Sequence, residues 1–286
     1  VNCKPLIIIG AGRSGTNILR DLLTALPGVG TWPCDEINYI WRSGHKTHPT
    51  DEFPREFASA DISRRVRRAF DRIAAAQRAE WVVEKTCANS LRVGFVDAIV
   101  PEALFVNIVR DGRDVVGSAT VRWTAGLDLR YLLAKARWVP PLDLPYYAWN
   151  YAANRLSAAR RADRRLAAWG PRFDGLQEIL RRDGLEAACA AQWARCVDAA
   201  DAQLAAIDPK RVITLTYEGL ANDPCSQLRR ITERMGRVPD EALLGSIAGK
   251  VSRSSVGRWR KQLDEAALAR AMPHMQKTLE RHGYAP

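Results

Sequence analysis

Short unbroken apolar runs alternate along this chain with segments whose apolar residues recur every three or four positions. Leu6–Ile9 is a run of strand length. The spacing after it predicts a helix over Asn17–Leu26, with Ile18, Leu19, Leu22, Leu23 and Leu26 on one stripe before Pro27-Gly28 stops it. A weak strand follows at Val29–Trp32. A basic amphipathic helix is predicted over roughly residues 61–79, its apolar stripe formed by Ile62, Val66, Phe70 and Ile73. Then come a strand at Trp81–Val83, a helix near residues 91–99, a strand at Leu104–Val109 and a last strand at Val212–Leu215. Strands without alternation are buried on both faces, and their interleaving with helices predicts an α/β fold wound around a parallel sheet.

The pattern changes between about residues 123 and 183, where Trp123, Tyr131, Trp138, Tyr146, Tyr147, Trp149, Tyr151 and Trp169 lie among Pro140-Pro141 and Gly170-Pro171. This predicts an aromatic-rich helical insertion or cap over the sheet. A strong helix is expected from Gly184 to Ile207, with Leu185, Cys189, Trp193, Val197 and Leu204 on one face, and the chain beyond Pro224 reads as helical apart from a loop around residues 249–259. No repeat, low-complexity tract or linker divides the chain, so residues 1–286 read as one domain.

With 43 Lys+Arg against 32 Asp+Glu among 286 residues, the net charge is +11, while 47% hydrophobic and 26% charged residues are ordinary globular proportions. Disordered and fibrous classes are excluded, and no apolar run approaches the ~18–20 residues of a membrane span. The excess of cations suits a polyanion surface or a small anionic substrate. The densest clusters, Arg64–Arg68 and Arg160–Arg165, read as solvated helix faces, without the aromatic-interleaved strands of a nucleic-acid binder, so no nucleic acid is expected as a partner. Cys3, Cys34, Cys87, Cys189, Cys196 and Cys225 contain no C-x-x-C pair and read as reduced thiols. His45, His48, His274 and His282 read as structural, so no metal site is expected. With a strand beginning by Leu6 no signal peptide is expected, and the default location is cytoplasmic.

Candidate chemistry begins where the first strand ends. Gly10-Ala11-Gly12-Arg13-Ser14-Gly15-Thr16-Asn17 lies between a strand and a helix, where exposed backbone N–H groups bind phosphate. Its glycines fit both the G-x-G-x-x-G of a dinucleotide loop, with Asp35 or Glu36 at the distance of a ribose-binding acid, and the spacing of a Walker loop. Thr16-Asn17 stand where a Walker loop has Lys-Ser/Thr, and Arg13 is bulky for a dinucleotide loop. Taken alone, the segment leaves a Walker-like loop, a dinucleotide loop and a plain turn all open. The second constellation is Arg110 at the carboxyl end of the Leu104–Val109 strand, with Ser118 eight positions on, in the next helix. It reads as a second, separate phosphate site, and two such sites imply a nucleotide phosphorylated at two places.

These segments resemble the sulfotransferase family, which uses 3′-phosphoadenosine 5′-phosphosulfate (PAPS). Gly12-Arg13-Ser14-Gly15-Thr16 is similar to its 5′-phosphosulfate loop, with Asn17 where a second Thr is common. Val109-Arg110-Asp111-Gly112-Arg113-Asp114-Val115-Val116-Gly117-Ser118 is similar to its 3′-phosphate motif. Thr216-Tyr217-Glu218-Gly219-Leu220 resembles the segment whose Tyr lines the adenine pocket. Ser254-Ser255-Val256-Gly257-Arg258-Trp259-Arg260 resembles the Gly-x-Trp segment that closes over the 3′-phosphate. The four stand in family order over about residues 5–263. Ser252-Arg253-Ser254 replaces the Arg-Lys-Gly of the cytosolic branch, which suggests the bacterial, carbohydrate or tyrosylprotein side of the family.

The resemblance implies a P-loop-NTPase-like parallel sheet flanked by helices. It also implies PAPS as donor, adenosine 3′,5′-bisphosphate as product, no required metal, and an acceptor hydroxyl on a glycan, glycolipid or small metabolite. It assigns the catalytic base to Glu36 and the steadying of the transferring group to Lys85 and Arg13. Glu84, in Glu84-Lys85-Thr86, becomes a second base or the ionic partner of Lys85. Cys87 follows Thr86 where the cytosolic branch has His, so a His base is excluded there. A P-loop kinase-like phosphotransferase and a dinucleotide-dependent oxidoreductase are the competing readings, and neither accounts for Arg110 and Ser118 together with the motif order.

Overall fold

The computed structural model describes residues 3–123, 143–159 and 169–284. Among them, β1 (Lys4–Ile9), β2 (Val29–Thr31), β3 (Trp81–Lys85), β4 (Leu104–Val109) and β5 (Val212–Thr216) form one parallel sheet in the order β2-β3-β1-β4-β5. The α/β architecture expected from the alternating pattern is observed, with helices on both faces of the sheet. The strand ends differ from the expected ones by a residue or two, as end fraying allows.

β1 lies in the middle because Leu6, Ile7, Ile8 and Ile9 are apolar on both faces. Ile7 and Ile9 join Val82 and Phe105 under α3 (Ala60–Gln77) and α4 (Val93–Ile99). Leu6 and Ile8 join Val83, Val106 and Ile108 under α1 (Thr16–Thr24) and the helices Pro224–Arg234 and Glu241–Ala248. β1 pairs with β3 on one side and β4 on the other, so the loops leaving these strands diverge and open a crevice at their carboxyl ends.

The basic helix forms as its pattern predicts. Ser59 caps α3 by accepting from the Ile62 amide, Ile62, Val66, Phe70 and Ile73 are buried, and the helix ends at Arg78 with φ 51. Arg64, Arg65 and Arg68 are exposed, and Arg67 pairs with Glu102 at 2.7 Å. The helix Leu185–Leu204 departs from the expected single apolar face. Cys189, Trp193, Val197 and Leu204 are buried, but so are Ala187, Ala188, Ala190, Ala191, Ala194 and Ala200, while Leu185 is only half-buried. Alanine offers little bulk, so neighbours approach this helix from most sides, among them α5 (Gly112–Trp123).

Of the aromatic insertion, the helices Leu144–Ala159 and Leu176–Arg182 are described, whereas Tyr131, Trp138 and the Arg160–Arg165 cluster lie outside the described residues. Trp123 is buried and Trp149 exposed. A Cβ on Gly12 would lie 3.4 Å from the Trp169 ring, so this aromatic covers the loop after β1. The six cysteines are free thiols. His45 stacks on Phe57 with centroids 4.5 Å apart, and His48 meets Phe53 edge-on. Among the described residues no helix is long and apolar enough to cross a membrane.

Trp193 joins the core to the sheet edge. Its indole fills the space a side chain on Gly112 would need, since a Cβ there would come within 2.7 Å of the ring, and its Nε1 donates to the Arg110 carbonyl at 3.1 Å. Trp193→Ala should lower unfolding stability by about 3–5 kcal/mol, the usual cost of emptying a site that held a large aromatic, read from the urea midpoint.

Candidate active site

Four of the sequence motifs converge on the carboxyl edge of the sheet, because register places Ile8 beside Lys85, Ile9 beside Asn107 and Val109 beside Thr216. The loop after β1 carries Gly12 through Asn17. Arg13 adopts φ 71, which costs a non-glycine residue roughly 1–2 kcal/mol. Gly15 has φ 89 and forms the N-cap of α1, and a Cβ on it would lie 2.3 Å from the ring of Tyr217. Only glycine meets both demands. The unbonded N–H groups of the first turn of α1 therefore face the crevice, where an anion suits them.

Arg110 is the centre of this edge. Its guanidinium lies 4.4 Å over the Tyr217 ring, pairs with Asp114 at 3.3 Å, donates through Nη1 to the Arg13 carbonyl at 3.1 Å, and donates through Nη2 to the Ser255 carbonyl. Its Nε is buried without a protein partner, and so is the hydroxyl of Ser14. Buried polar atoms are rarely left unpaired, so two of them at one anion-seeking edge fit a phosphorylated ligand bound between them. Asn17 also has an unpartnered Oδ1, and a half-turn of its amide would offer the Nδ2 donor instead.

The two expected phosphate sites are not separate. Arg13 reaches from the first loop to α5, where its Nε donates to Ser118 Oγ at 2.8 Å. Burial, and the nearby Arg122 and Arg110, hold the Arg13 guanidinium below its ordinary pKa.

The C-terminal segment is fastened by a residue to which the sequence assigned no role. Asp114 accepts the Gly257 amide through Oδ2 and the Trp259 amide through Oδ1, both at 2.8 Å. Arg113 and Arg260 lie over the Trp259 ring at 4.4 and 4.5 Å. Ser254 bonds to Ser252, and Val256 and Arg258 are exposed. Glu218 was likewise passed over: it accepts the Asp111 amide at 3.1 Å and the Tyr284 hydroxyl at 2.8 Å. The available signal for Asp114 was its i,i+4 spacing from Arg110, which places both on one side of a helical turn.

At the end of β3 the structure changes one expectation. Lys85 pairs with Glu36, Nζ to Oε1 at 3.4 Å, and not with Glu84. Successive strand residues face opposite sides of the sheet, so Lys85 and Glu84 diverge. Burial alone would lower the Lys85 ammonium, but the Glu36 carboxylate outweighs it and the pKa is raised. Asp35 pairs with Arg20 at 3.1 Å. The Glu36 side chain remains 30% exposed. Glu84 is enclosed: Oε1 accepts the Thr86 hydroxyl at 2.5 Å and Oε2 the Asn89 amide at 2.9 Å. Burial pushes its carboxyl up to about 7, with the Thr86 hydroxyl, Arg92 and Lys85 pulling the other way. Cys87 Sγ lies 3.8 Å from Thr16 Oγ1, and burial raises its pKa, so it stays a thiol.

Comparison with known proteins agrees with this arrangement. The family model described as "Sulfotransferase family" matches residues 5–167 and 173–240. Among curated proteins no sequence matches this chain. In fold the chain is similar to sulfotransferase STF9 from Mycobacterium avium at a TM-score of 0.55, with 14% identity over 98% of this chain and 76% of that one. It is similar to the sulfotransferase domain from the curacin biosynthetic pathway at a TM-score of 0.54, with 11% identity over 99% and 98% of the two chains. For mouse sulfotransferase SULT7A1, whose structure is complexed with PAP, the values are 0.50 and 13%, over 99% of this chain and 89% of that one.

The shifted Glu84 carboxyl makes stability depend on pH. Between its ordinary value of 4.5 and about 7, the folded protein keeps a proton that the unfolded chain has released. The contribution of this group therefore falls as pH rises through that window, by on the order of 3 kcal/mol, and is flat above it. Urea unfolding of wild type and Glu84→Gln at pH 5, 6, 7 and 8 should give a difference between the two that changes up to about pH 7 and then levels off. A constant difference would contradict the shift.

Proposed function

Because the chain belongs to the sulfotransferase family, we propose that it transfers the sulfuryl group of PAPS to a hydroxyl of a carbohydrate or glycolipid, with Glu36 as general base. The observation that carries this reading is the Lys85–Glu36 pair beside a crevice where Ser14 Oγ and Arg110 Nε are buried without protein partners. When bound, PAPS supplies an activated sulfuryl group whose departure leaves adenosine 3′,5′-bisphosphate.

Each residue then has a role that follows from its place. Gly12, Arg13, Ser14, Gly15, Thr16 and Asn17 hold the 5′ end of the donor at the N-terminus of α1. Arg110 and Ser118 hold the 3′-phosphate, and Tyr217 lines the adenine side. Ser254, Ser255, Val256, Gly257, Arg258 and Trp259 cover it. Lys85 and Arg13 steady the negative charge that builds on the transferring group and its leaving oxygen. Glu36 is the partly exposed carboxylate at Lys85 and takes the acceptor's proton at a carboxylate oxygen. The enclosed Glu84, with both oxygens engaged, does not reach an acceptor. Lys85, Arg13 and Arg110 balance the donor's charge, so this reading requires no metal ion.

The acceptor class rests on the aromatic cap. Trp169 over Gly12 and the exposed Trp149 offer flat apolar faces of the kind that stack on sugar rings. A cytoplasmic location accords with six free thiols, and we read residues 1–286 as one domain with its cap at about 123–183. Incubation with labelled PAPS and an acceptor panel, in excess EDTA, with products read by mass spectrometry, tests this function. A sulfated sugar is the expected product. No transfer to any hydroxyl, or activity restored only by magnesium, would overturn it.

Two variants test the assignments. Arg110→Ala should weaken binding of adenosine 3′,5′-bisphosphate by about 1.5–3 kcal/mol, the range for a charge-assisted hydrogen bond, and leave 5′-AMP affinity nearly unchanged in titration calorimetry. Equal losses for both ligands would place Arg110 away from the 3′-phosphate. Glu36→Gln should cut turnover by about 10²–10⁴-fold while the bisphosphate still binds, and near-normal turnover would remove Glu36 from the role of base.

A further inference from the structure

The polar residues between β3 and α4 form a chain of hydrogen bonds whose direction is set from one end. Arg92 is fully buried, and a guanidinium only donates. Its Nε donates to Asn89 Oδ1 at 2.9 Å and its Nη2 to Asn38 Oδ1 at 2.5 Å. Each asparagine must then turn its amide nitrogen the other way. Asn89 Nδ2 donates to Glu84 Oε2 at 2.9 Å, and Asn38 Nδ2 to Asp51 Oδ1 at 3.2 Å. The other oxygen of Glu84 takes the Thr86 hydroxyl proton at 2.5 Å, which leaves Thr86 Oγ1 free to accept the Ile37 amide at 3.2 Å.

Two consecutive residues after Glu36 are therefore stapled to the same arginine, Ile37 through its backbone and Asn38 through its side chain. None of the four residues that make up the longer arm bonds to Lys85 in this network. We infer that Arg92, Asn89, Glu84 and Thr86 form a positioning network that holds the Glu36 loop against Lys85, with Glu84 acting in it as an acceptor. The inference rests on Glu36 being the base. It also explains why a carboxylate is kept at position 84: an acceptor is needed at both ends, toward the Asn89 amide and toward the Thr86 hydroxyl, and two donors facing each other across an apolar residue there would be left unpaired.

The test reads hydrogen exchange at the Ile37 amide alongside turnover and bisphosphate affinity in the full chain. Thr86→Val removes the acceptor of that amide. It should speed Ile37 exchange roughly tenfold, the factor for one lost hydrogen bond, and lower kcat at least as much, with bisphosphate affinity within about twofold. Thr86→Ser keeps the hydroxyl and should restore both readouts. Glu84→Gln should speed the same exchange, and its double variant with Thr86→Val should lose no more kcat than the worse single variant, because the two act in one chain. Should Thr86→Val fail to fold, Glu84→Gln carries the same readouts. Unchanged Ile37 exchange, unchanged kcat, or additive losses in the double variant would each overturn the inference. Failure of Glu36 as base shows separately, as near-normal turnover in Glu36→Gln whatever the exchange at Ile37.

Discussion

A guanidinium buried at the edge of a parallel sheet must find partners, and the organisation of this protein follows from how Arg110 finds them. Removing an unpaired charge from water costs several kcal/mol. Arg110 is 7% exposed, and its partners come from distant parts of the chain: Asp114 from its own helix, a carbonyl from the loop after β1, and a carbonyl from the C-terminal segment. Tyr217, at the end of β5, supplies the ring beneath it. One side chain thus ties three strand ends and the C-terminal segment together. The donor atom left without a partner points to where a ligand completes the set.

The neighbouring strand shows how strand geometry divides labour between adjacent residues. Glu84 and Lys85 are consecutive on β3, so one faces the layer of α3 and α4 and the other the layer of α1. Glu84 is drawn into a closed set of donors and its charge is penalised by burial. Lys85 meets the Glu36 carboxylate at the open side and keeps its charge. A displaced pKa often marks a catalytic group, yet here the carboxyl with the raised value is the enclosed one. Geometry decides between them, since a base must first reach the proton it takes.

The basic excess of the chain is largely absorbed within its structure. Arg42 and Arg92 surround the buried Asp51, Arg211 and Arg55 pair with Asp97, and Arg67 pairs with Glu102. The cations left for function are few and sit at the crevice: Arg13, Lys85 and Arg110. Their number matches a small, multiply charged ligand better than an extended polyanion, whose binding draws on rows of exposed cations.

By itself the sequence determined whatever depends on neighbours along the chain. The apolar runs of β1 and β4, the stripe Ile62, Val66, Phe70 and Ile73, and the glycines of the loop at Gly12–Gly15 follow from local sterics and burial, and the motif order located the strand ends that carry the site. Only tertiary structure decided which side chains meet. Arg13 bonds to Ser118 across 105 positions, Lys85 to Glu36 across 49, and Asp114 to the Gly257 amide across 143. The all-round burial of Leu185–Leu204 and the Arg92 network were hidden for the same reason. Spacing in sequence sets distance only within a helix or strand; beyond that, strand order and register set it, and these emerge when the whole core packs.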